Sequence, residues 1–171
     1  AIAIGGGNGC AVVVSQFFGA GKIAKMKTAA YTMMINFLVI SLCLATFGLV
    51  FNDQILTWVN TPEDIFYDAG VYLKIYFRGL LFLFMYNIQA SIFNSLGDSK
   101  KPLYLLIFSS LLNIVLDLIL VILFHQGVRG VAIATLIAQG TSAIISFILL
   151  MKKLNGYECE EKAAIYDKTV V

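Results

Sequence analysis

The 171-residue chain is 60% hydrophobic and only 13% charged, with a net charge of +2 at pH 7. A soluble domain averages about half apolar and about a quarter charged residues, so this composition excludes an ordinary soluble fold. The small net charge also offers no basic face for nucleic acid. The apolar residues come in blocks of about 20, the length of a membrane-spanning helix, and the sequence therefore predicts an all-α, polytopic membrane helix bundle.

Five segments are predicted as transmembrane helices because each is long or apolar enough to span a bilayer. The chain begins AIAIGGG, with neither Met nor a basic stretch before its first apolar run. That pattern favours a start internal to a longer protein over a signal peptide. The predicted helices cover about residues 1–18, 30–51, 66–96, 103–124 and 130–151.

Turn-forming residues mark the ends of these helices. TPED at 61–64 predicts a helix start, with Thr61 as the cap and Pro62 in the first turn. Gly97 is predicted to stop that helix. Gly127 and Gly130 are predicted to form the short turn before the last helix.

The distribution of lysines predicts the orientation of the bundle. Lysines concentrate in GAGKIAKMKT, in GDSKKP and at Lys152 and Lys153, which share one side if five helices alternate. The opposite side offers NDQILTWVNTPED, which is acidic without a basic residue, and HQGVRG, with one Arg. By the positive-inside rule, the lysine-rich loops of this multi-pass protein are cytoplasmic and its helices lie in the cell membrane.

The apolar run NIVLDLILV carries a carboxylate at membrane depth. Asn113 and Asp117 are four residues apart and share one face of the predicted fourth helix, which Ser109 extends by another turn. Thr135 and Gln139 have the same spacing on the fifth. Counting about 1.5 Å per residue from the hairpin tip gives Asp117 and Thr135 matching depths. The sequence thus predicts an oxygen site for H+ or Na+ at Asp117, Asn113 and Thr135, with Ser109 and Gln139 as candidates to line its cavity.

Helix packing is the competing interpretation of these polar side chains. Asn, Ser and Thr often form hydrogen bonds between membrane helices, and an ion pair with Arg78 or Arg129 would explain Asp117. An ionisable group inside the membrane is, however, functional by default, so we favour a coupling role for Asp117. Three further polar residues near the inner end of the third helix are expected at the membrane interface: Asn87, Gln89 and Asn94.

Motifs for enzyme chemistry or cofactor binding are absent from the sequence. GGGNG near the start lacks the third glycine of a dinucleotide fingerprint, and no HExxH, Walker loop or nucleophile elbow occurs. Cys10, Cys43 and Cys159 have no paired spacing and predict free thiols. We expect neither an enzyme nor a cofactor other than the coupling ion.

Several motifs, taken in order, resemble the multidrug and toxic compound extrusion (MATE) family of secondary transporters. They are VVVSQFFGAGK, TPEDIFYDAGVYLKIYF, NSLGDSKKP, LLNIVLDLILV and GVRGVAIATLIAQ. The resemblance implies that residues 1–153 are helices two to six of a six-helix amino-terminal lobe. It also implies that residues 154–171 begin the cytoplasmic link between lobes, and that the first helix and the second lobe are missing partners of this chain.

The same resemblance implies an activity, namely export of organic cations or amphipathic compounds in exchange for H+ or Na+ by alternating access. The family's cation site has an Asn and an Asp four apart on one helix and a Thr on the next, which match Asn113, Asp117 and Thr135. The implied partners are membrane lipid and a small organic cation or amphipathic substrate. Two alternatives are a lipid-linked oligosaccharide flippase of the same broader superfamily and a non-transporting membrane scaffold fragment.

Overall fold

The computed structural model describes residues 2–157 and 164–166, and within them the chain is helical with no strand. The side chains of residues 2–8 and of Cys10 lie outside this description, as do Cys159 and most of the predicted tail. The prediction of an all-α bundle is confirmed. The helices are α1 (Ile2–Gly19), α2 (Ile23–Val50), α3 (Asn52–Trp58), α4 (Glu63–Ser95), α5 (Lys100–Asp117) with its π-helical continuation (Leu118–Leu123), and α6 (Gly127–Asn155).

Four helices of the described part are long and apolar enough to cross a membrane. They are α2, α4, α5 with its π-helical segment, and α6. The first predicted span corresponds to α1, an 18-residue helix whose side chains are described only in part. The chain is therefore a multi-pass membrane protein.

Four helices start before their predicted positions, including α5 at Lys100 rather than residue 103 and α6 at Gly127 rather than residue 130. α2 begins at Ile23 rather than at residue 30, so the helix takes in much of the lysine-rich connection. α4 begins at Glu63 rather than at residue 66, and its cap position is Pro62, with no side-chain cap, rather than Thr61. Glu63 and the next residue, Asp64, put negative charge at the positive end of the helix dipole, which favours this start.

Gly97 and Gly130 have different roles at the two predicted turns. Gly97 has a φ of +72°, which glycine adopts without strain, and it follows the end of α4 as predicted. Gly130 instead lies inside α6, where an added Cβ would be 3.2 Å from the carbonyl carbon of Leu120. The absence of a side chain at Gly130 thus lets α6 pack closely on the π-helical segment.

The connection after α2 contains a short helix, α3, which the sequence did not predict. Asn52 and Leu56, four residues apart, are buried on one face at 1% and 7% exposure. The Asn52 Nδ2 donates to Asp53 Oδ1 at 3.0 Å, and Gly70 of α4 lies close to both buried side chains. Packing on α4 stabilises a helix that is too short to form by itself.

The apolar core lies toward one end of the bundle, which we call the lysine-rich end and define by residues 20–27, 97–101 and 152–157. α5 contributes little to it, because only 6% of its most apolar stretch is buried, so α5 sits at the edge of the bundle. The core comes from the last turns of α1, the first half of α2 and the ends of α4 and α6, and includes Val14, Met26, Met33, Ile88, Ile92, Phe93, Leu150 and Leu154.

Asp98 joins the α4–α5 turn to the end of α6 at the lysine-rich end. Its Oδ2 lies 2.8 Å from Lys153 Nζ and 3.0 Å from Lys101 Nζ. Both ammonium groups also lie over the ring of Phe93, at 5.9 and 5.7 Å from its centroid. The hydrogen bond from Lys153, aided by Lys101, holds the pKa of Asp98 below its ordinary value.

Asp98→Asn should lower the stability of the chain at neutral pH by about 1 kcal/mol, because it removes the charge that both lysines share. A carboxyl whose pKa is lowered on folding stabilises the fold above its ordinary pKa of about 4, and loses that contribution as pH falls through the lowered value. The difference between variant and native chain should therefore disappear below that range. Thermal unfolding in detergent, followed by circular dichroism at several pH values, measures it.

Asp53→Asn is the matched control for Asp98→Asn. Asp53 lies 3.9 Å from Lys74, and the two side chains are 72% and 48% exposed, so solvent screens the pair. This variant should unfold close to the native temperature at every pH. An Asp98→Asn chain as stable as the native one at pH 7 would contradict a stabilising role for the carboxylate.

Candidate functional site

A cavity of about 330 Å³ opens between α4, α5 and α6. The polar residues of its wall come from all three helices, and no lining residue carries a formal charge. Ser109 and Gln139, the two candidates for cavity lining, both lie in this wall. The lining residues are Leu83, Tyr86, Asn87, Leu106, Ser109, Ser110, Asn113, Thr135, Ala138, Gln139 and Ser142.

Asn113 of α5 and Thr135 of α6 meet directly in the cavity wall. The Asn113 Nδ2 donates to Thr135 Oγ1 at 3.3 Å, and that hydroxyl donates to the carbonyl of Val131 at 3.0 Å. One turn nearer the lysine-rich end, the Ser109 hydroxyl donates to the carbonyl of Ala138 at 3.2 Å. The amide oxygen of Asn113 remains available as a ligand, since these bonds use only its nitrogen.

Asp117 lies one turn beyond Asn113 on the same face of α5, about 6 Å further from the lysine-rich end. It is half-buried and does not line the cavity, but its Oδ1 is buried and has no hydrogen-bond partner among the described residues. The carboxylate thus lies one helical turn from the Asn113–Thr135 pair, and its Oδ1 forms no hydrogen bond to that pair.

The prediction that Asp117 and Thr135 lie at matching depths needs correction. One hydrogen bond joins Asn113 to Thr135, and a second joins Ser109 to the Ala138 carbonyl. These bonds place the two helices about one turn out of the predicted register. The π-helical segment Leu118–Leu123 contributes to this shift, because it fits more residues into each turn than the α-helix assumed in the count. Asp117 is therefore nearer the hairpin tip than Thr135.

Arg78 and Arg129, the suggested ion-pair partners of Asp117, form no salt bridge with it in the described part of the chain. Arg129 instead donates to the hydroxyl of Tyr67 at 2.6 Å, with its guanidinium 5.4 Å from that ring. This contact ties α6 to α4 at the end opposite the lysines. The carboxylate of Asp117 is left for another partner.

The three polar residues predicted at the membrane interface near the end of α4 lie in three different environments. Asn94 is exposed, but Asn87 lines the cavity and donates from Nδ2 to the carbonyl of Leu83 at 2.7 Å. Gln89 is only 1% exposed and so is buried inside the bundle, which its position along α4 did not indicate. Tyr86, which the sequence analysis missed, donates from its hydroxyl to the carbonyl of Pro102 at 2.8 Å and so fixes α4 to the start of α5.

The chemistry of this region suits one small hard cation or a proton. Amide and hydroxyl oxygens line the cavity, and the Asp117 carboxylate lies one helical turn beyond the lining residue Asn113. Among residues 2–157 and 164–166, no three His, Cys, Asp or Glu side chains come together as a multidentate metal site requires. A single acidic group balances one monovalent charge.

The MatE family model matches residues 1–119, well over half of the chain. The chain belongs to the MatE family. The resemblance found in the sequence is thereby confirmed. The matched residues of this chain include Asn113 and Asp117 but end before Thr135.

A curated relative of this MatE chain is the "Probable multidrug resistance protein YpnP" of Bacillus subtilis. It is 30% identical over 149 residues, which are 87% of this chain and 34% of that protein. The chain thus spans about a third of the length of this relative.

Two solved structures of "a multidrug resistance MATE family transporter of the MOP superfamily" share this fold. The inward-facing one superposes with a TM-score of 0.83 at 20% identity, covering 99% of this chain and 37% of that chain. The outward-facing one also has a TM-score of 0.83, at 21% identity, covering 98% and 36%. At this identity the likeness establishes the fold, and the two opposite states match it equally well.

Proposed function

We propose that this chain forms part of a multidrug efflux antiporter that exports organic cations or amphipathic compounds in exchange for H+ or Na+. The observation that carries the proposal is the oxygen-lined cavity at Asn113 and Thr135, bordered by the unpartnered Oδ1 of Asp117. Family membership and a relative described as a multidrug resistance protein support the transport class.

The coupling step follows from the two forms of one carboxylate. A charged carboxylate inside a membrane costs several kcal/mol unless it is neutralised. Asp117 is neutralised either by a bound proton or by a cation that Asn113 and Thr135 help to ligate. Only one of these can occupy the group at a time, so release of one permits binding of the other, as exchange transport requires.

The polarity of the cavity favours cationic or neutral substrates. Its lining residues include neither Lys nor Arg. A flippase that carries an anionic lipid-linked oligosaccharide would need basic side chains to pair with its phosphates. The aromatic Tyr86 and the apolar Leu83 and Leu106 instead suit a flat amphipathic compound.

The orientation of the bundle is tested by single cysteines placed at its two ends. Lys25 and Lys100 are exposed at the lysine-rich end, and Val59 is 72% exposed at the other. With the native cysteines replaced by Ser or Ala, Val59→Cys should react with an impermeant thiol reagent in intact cells. Lys25→Cys and Lys100→Cys should react only after the cells are opened. The reverse labelling pattern would overturn a cytoplasmic lysine-rich end.

Ion coupling is tested by Thr135→Val in the longer transporter of which we propose this chain is a part. The variant removes one cation ligand and keeps the side-chain shape. It should raise the concentration of driving cation needed for half-maximal ethidium efflux from liposomes by roughly tenfold, the equivalent of about 1.4 kcal/mol. The affinity for ethidium should change much less.

Thr141→Val is the matched control, because Thr141 lies on the same helix but outside the cavity wall and donates to the carbonyl of Ile137. It should leave the cation requirement unchanged. Efflux that ignores both Na+ and pH gradients in the native transporter would refute antiport. Equal effects of Thr135→Val and Thr141→Val would refute a ligand role for Thr135.

A further inference from the structure

Among the described residues, three buried polar side chains of α4 and α6 have an oxygen without a hydrogen-bond partner. They are Gln89, Ser142 and Ser146, which are 1%, 2% and 0% exposed. The atoms concerned are Gln89 Oε1 and the two serine Oγ atoms. A buried polar group without a partner costs about 1–3 kcal/mol, so three in one interface require an explanation.

The packing of α4 on α6 brings these residues to neighbouring levels. Gly79 lies against Leu136, at 3.3 Å from an added Cβ, and Gly140 lies against the ring of Phe82, at 3.5 Å. The two helices run in the same direction, so the same register continues toward the lysine-rich end. It sets Gln89 level with Ser146, and Ser142 lies one turn earlier on the same face of α6.

The serine hydroxyls depart from the usual behaviour of hydroxyls in this bundle. A Ser or Thr in a membrane helix commonly donates to a carbonyl one turn earlier in its own helix. On α6 itself, Thr135 donates to Val131 and Thr141 donates to Ile137. Ser142 and Ser146 make no such bond. Their hydroxyls are therefore free to serve a group between the helices.

We propose that Gln89, Ser142 and Ser146 form a hydrated site that continues the cavity toward the lysine-rich end. Buried water typically makes two to four hydrogen bonds to polar groups that lack protein partners, and these three oxygens supply them. Ser142 also lines the cavity that contains Asn113 and Thr135, so the site adjoins that cavity directly. Water would bind at this site whether or not the chain transports an ion.

Water-edited solid-state NMR of the 15N-labelled chain in lipid bilayers tests the proposal without any transport assay. Magnetisation passes from water protons to nearby amide groups, and its build-up is fast only where water is bound or exchanges close by. The side-chain amide signal of Gln89 is assigned by its loss in Gln89→Met. It should build up several-fold faster than the backbone amides of the fully buried Ile88 and Ile92, although all three are sealed from bulk solvent.

Removal of the two hydroxyls should weaken water binding. In the double variant Ser142→Ala, Ser146→Ala, the build-up at Gln89 should slow several-fold, whereas Thr141→Val should leave it unchanged. Build-up at Gln89 in the native chain as slow as at Ile88 would overturn the proposal, even if the serine double variant does not fold. A double variant with native build-up would also overturn it, because the serines would then not hold the water.

Discussion

Asp117→Asn should abolish gradient-driven efflux by the longer transporter while leaving its expression and folding near normal. Asn keeps the size and much of the hydrogen bonding of Asp but cannot be ionised. The cavity wall would retain its amide and hydroxyl oxygens, yet the carboxylate that exchanges a proton for a cation would be gone. We expect ethidium efflux from liposomes to fall to the level of protein-free liposomes, under either a Na+ or a pH gradient.

Asp68→Asn is the control for Asp117→Asn, because Asp68 is an exposed carboxylate of α4. It should transport at the native rate. Native transport by Asp117→Asn would show that Asp117 is not the coupling group. Failure of that variant to fold, measured by size-exclusion chromatography and thermal unfolding, would instead favour the packing role that a scaffold fragment implies.

The spans and the polar contact between α5 and α6 were accessible from the sequence because both depend on local spacing. Apolar blocks of bilayer length leave the backbone no alternative to helix. Asn113 and Ser109 share one face of α5 through their four-residue spacing, and the short hairpin brings Thr135 of α6 opposite them. The hydrogen bonds of Asn113 and Ser109 to α6 follow from that arrangement.

The remaining features depend on tertiary packing, which spacing does not report. The π-helical segment after Asp117 forms where Gly130 allows α6 to approach Leu120, and it changes the depth of Asp117 relative to Thr135. Gln89 looks interfacial by its position along α4, but its burial depends on which face of α4 meets α6. A count of residues gives depth along a helix and cannot give that rotation.

The isolated 171-residue chain should show no cation-driven efflux. Secondary transporters of this type alternate access by moving one bundle against another around a shared site. This chain spans 37% of the inward-facing structure and 36% of the outward-facing one, so we expect it to supply one bundle of such a pair. A continuous apolar core joins its α1, α2, α4 and α6, as one packed bundle requires.

Liposomes that contain only this chain, loaded with ethidium and given a Na+ or pH gradient, provide the measurement. Release should equal that of protein-free liposomes, while the longer transporter in the same lipids releases the dye. α5 supplies Asn113 to the cavity wall and is the least buried of the four spans in the described residues, so one bundle alone leaves this side without a second bundle to close it. Gradient-dependent release by the isolated chain would contradict the two-bundle requirement. Chemical cross-linking would then reveal whether two copies of the chain supply both bundles.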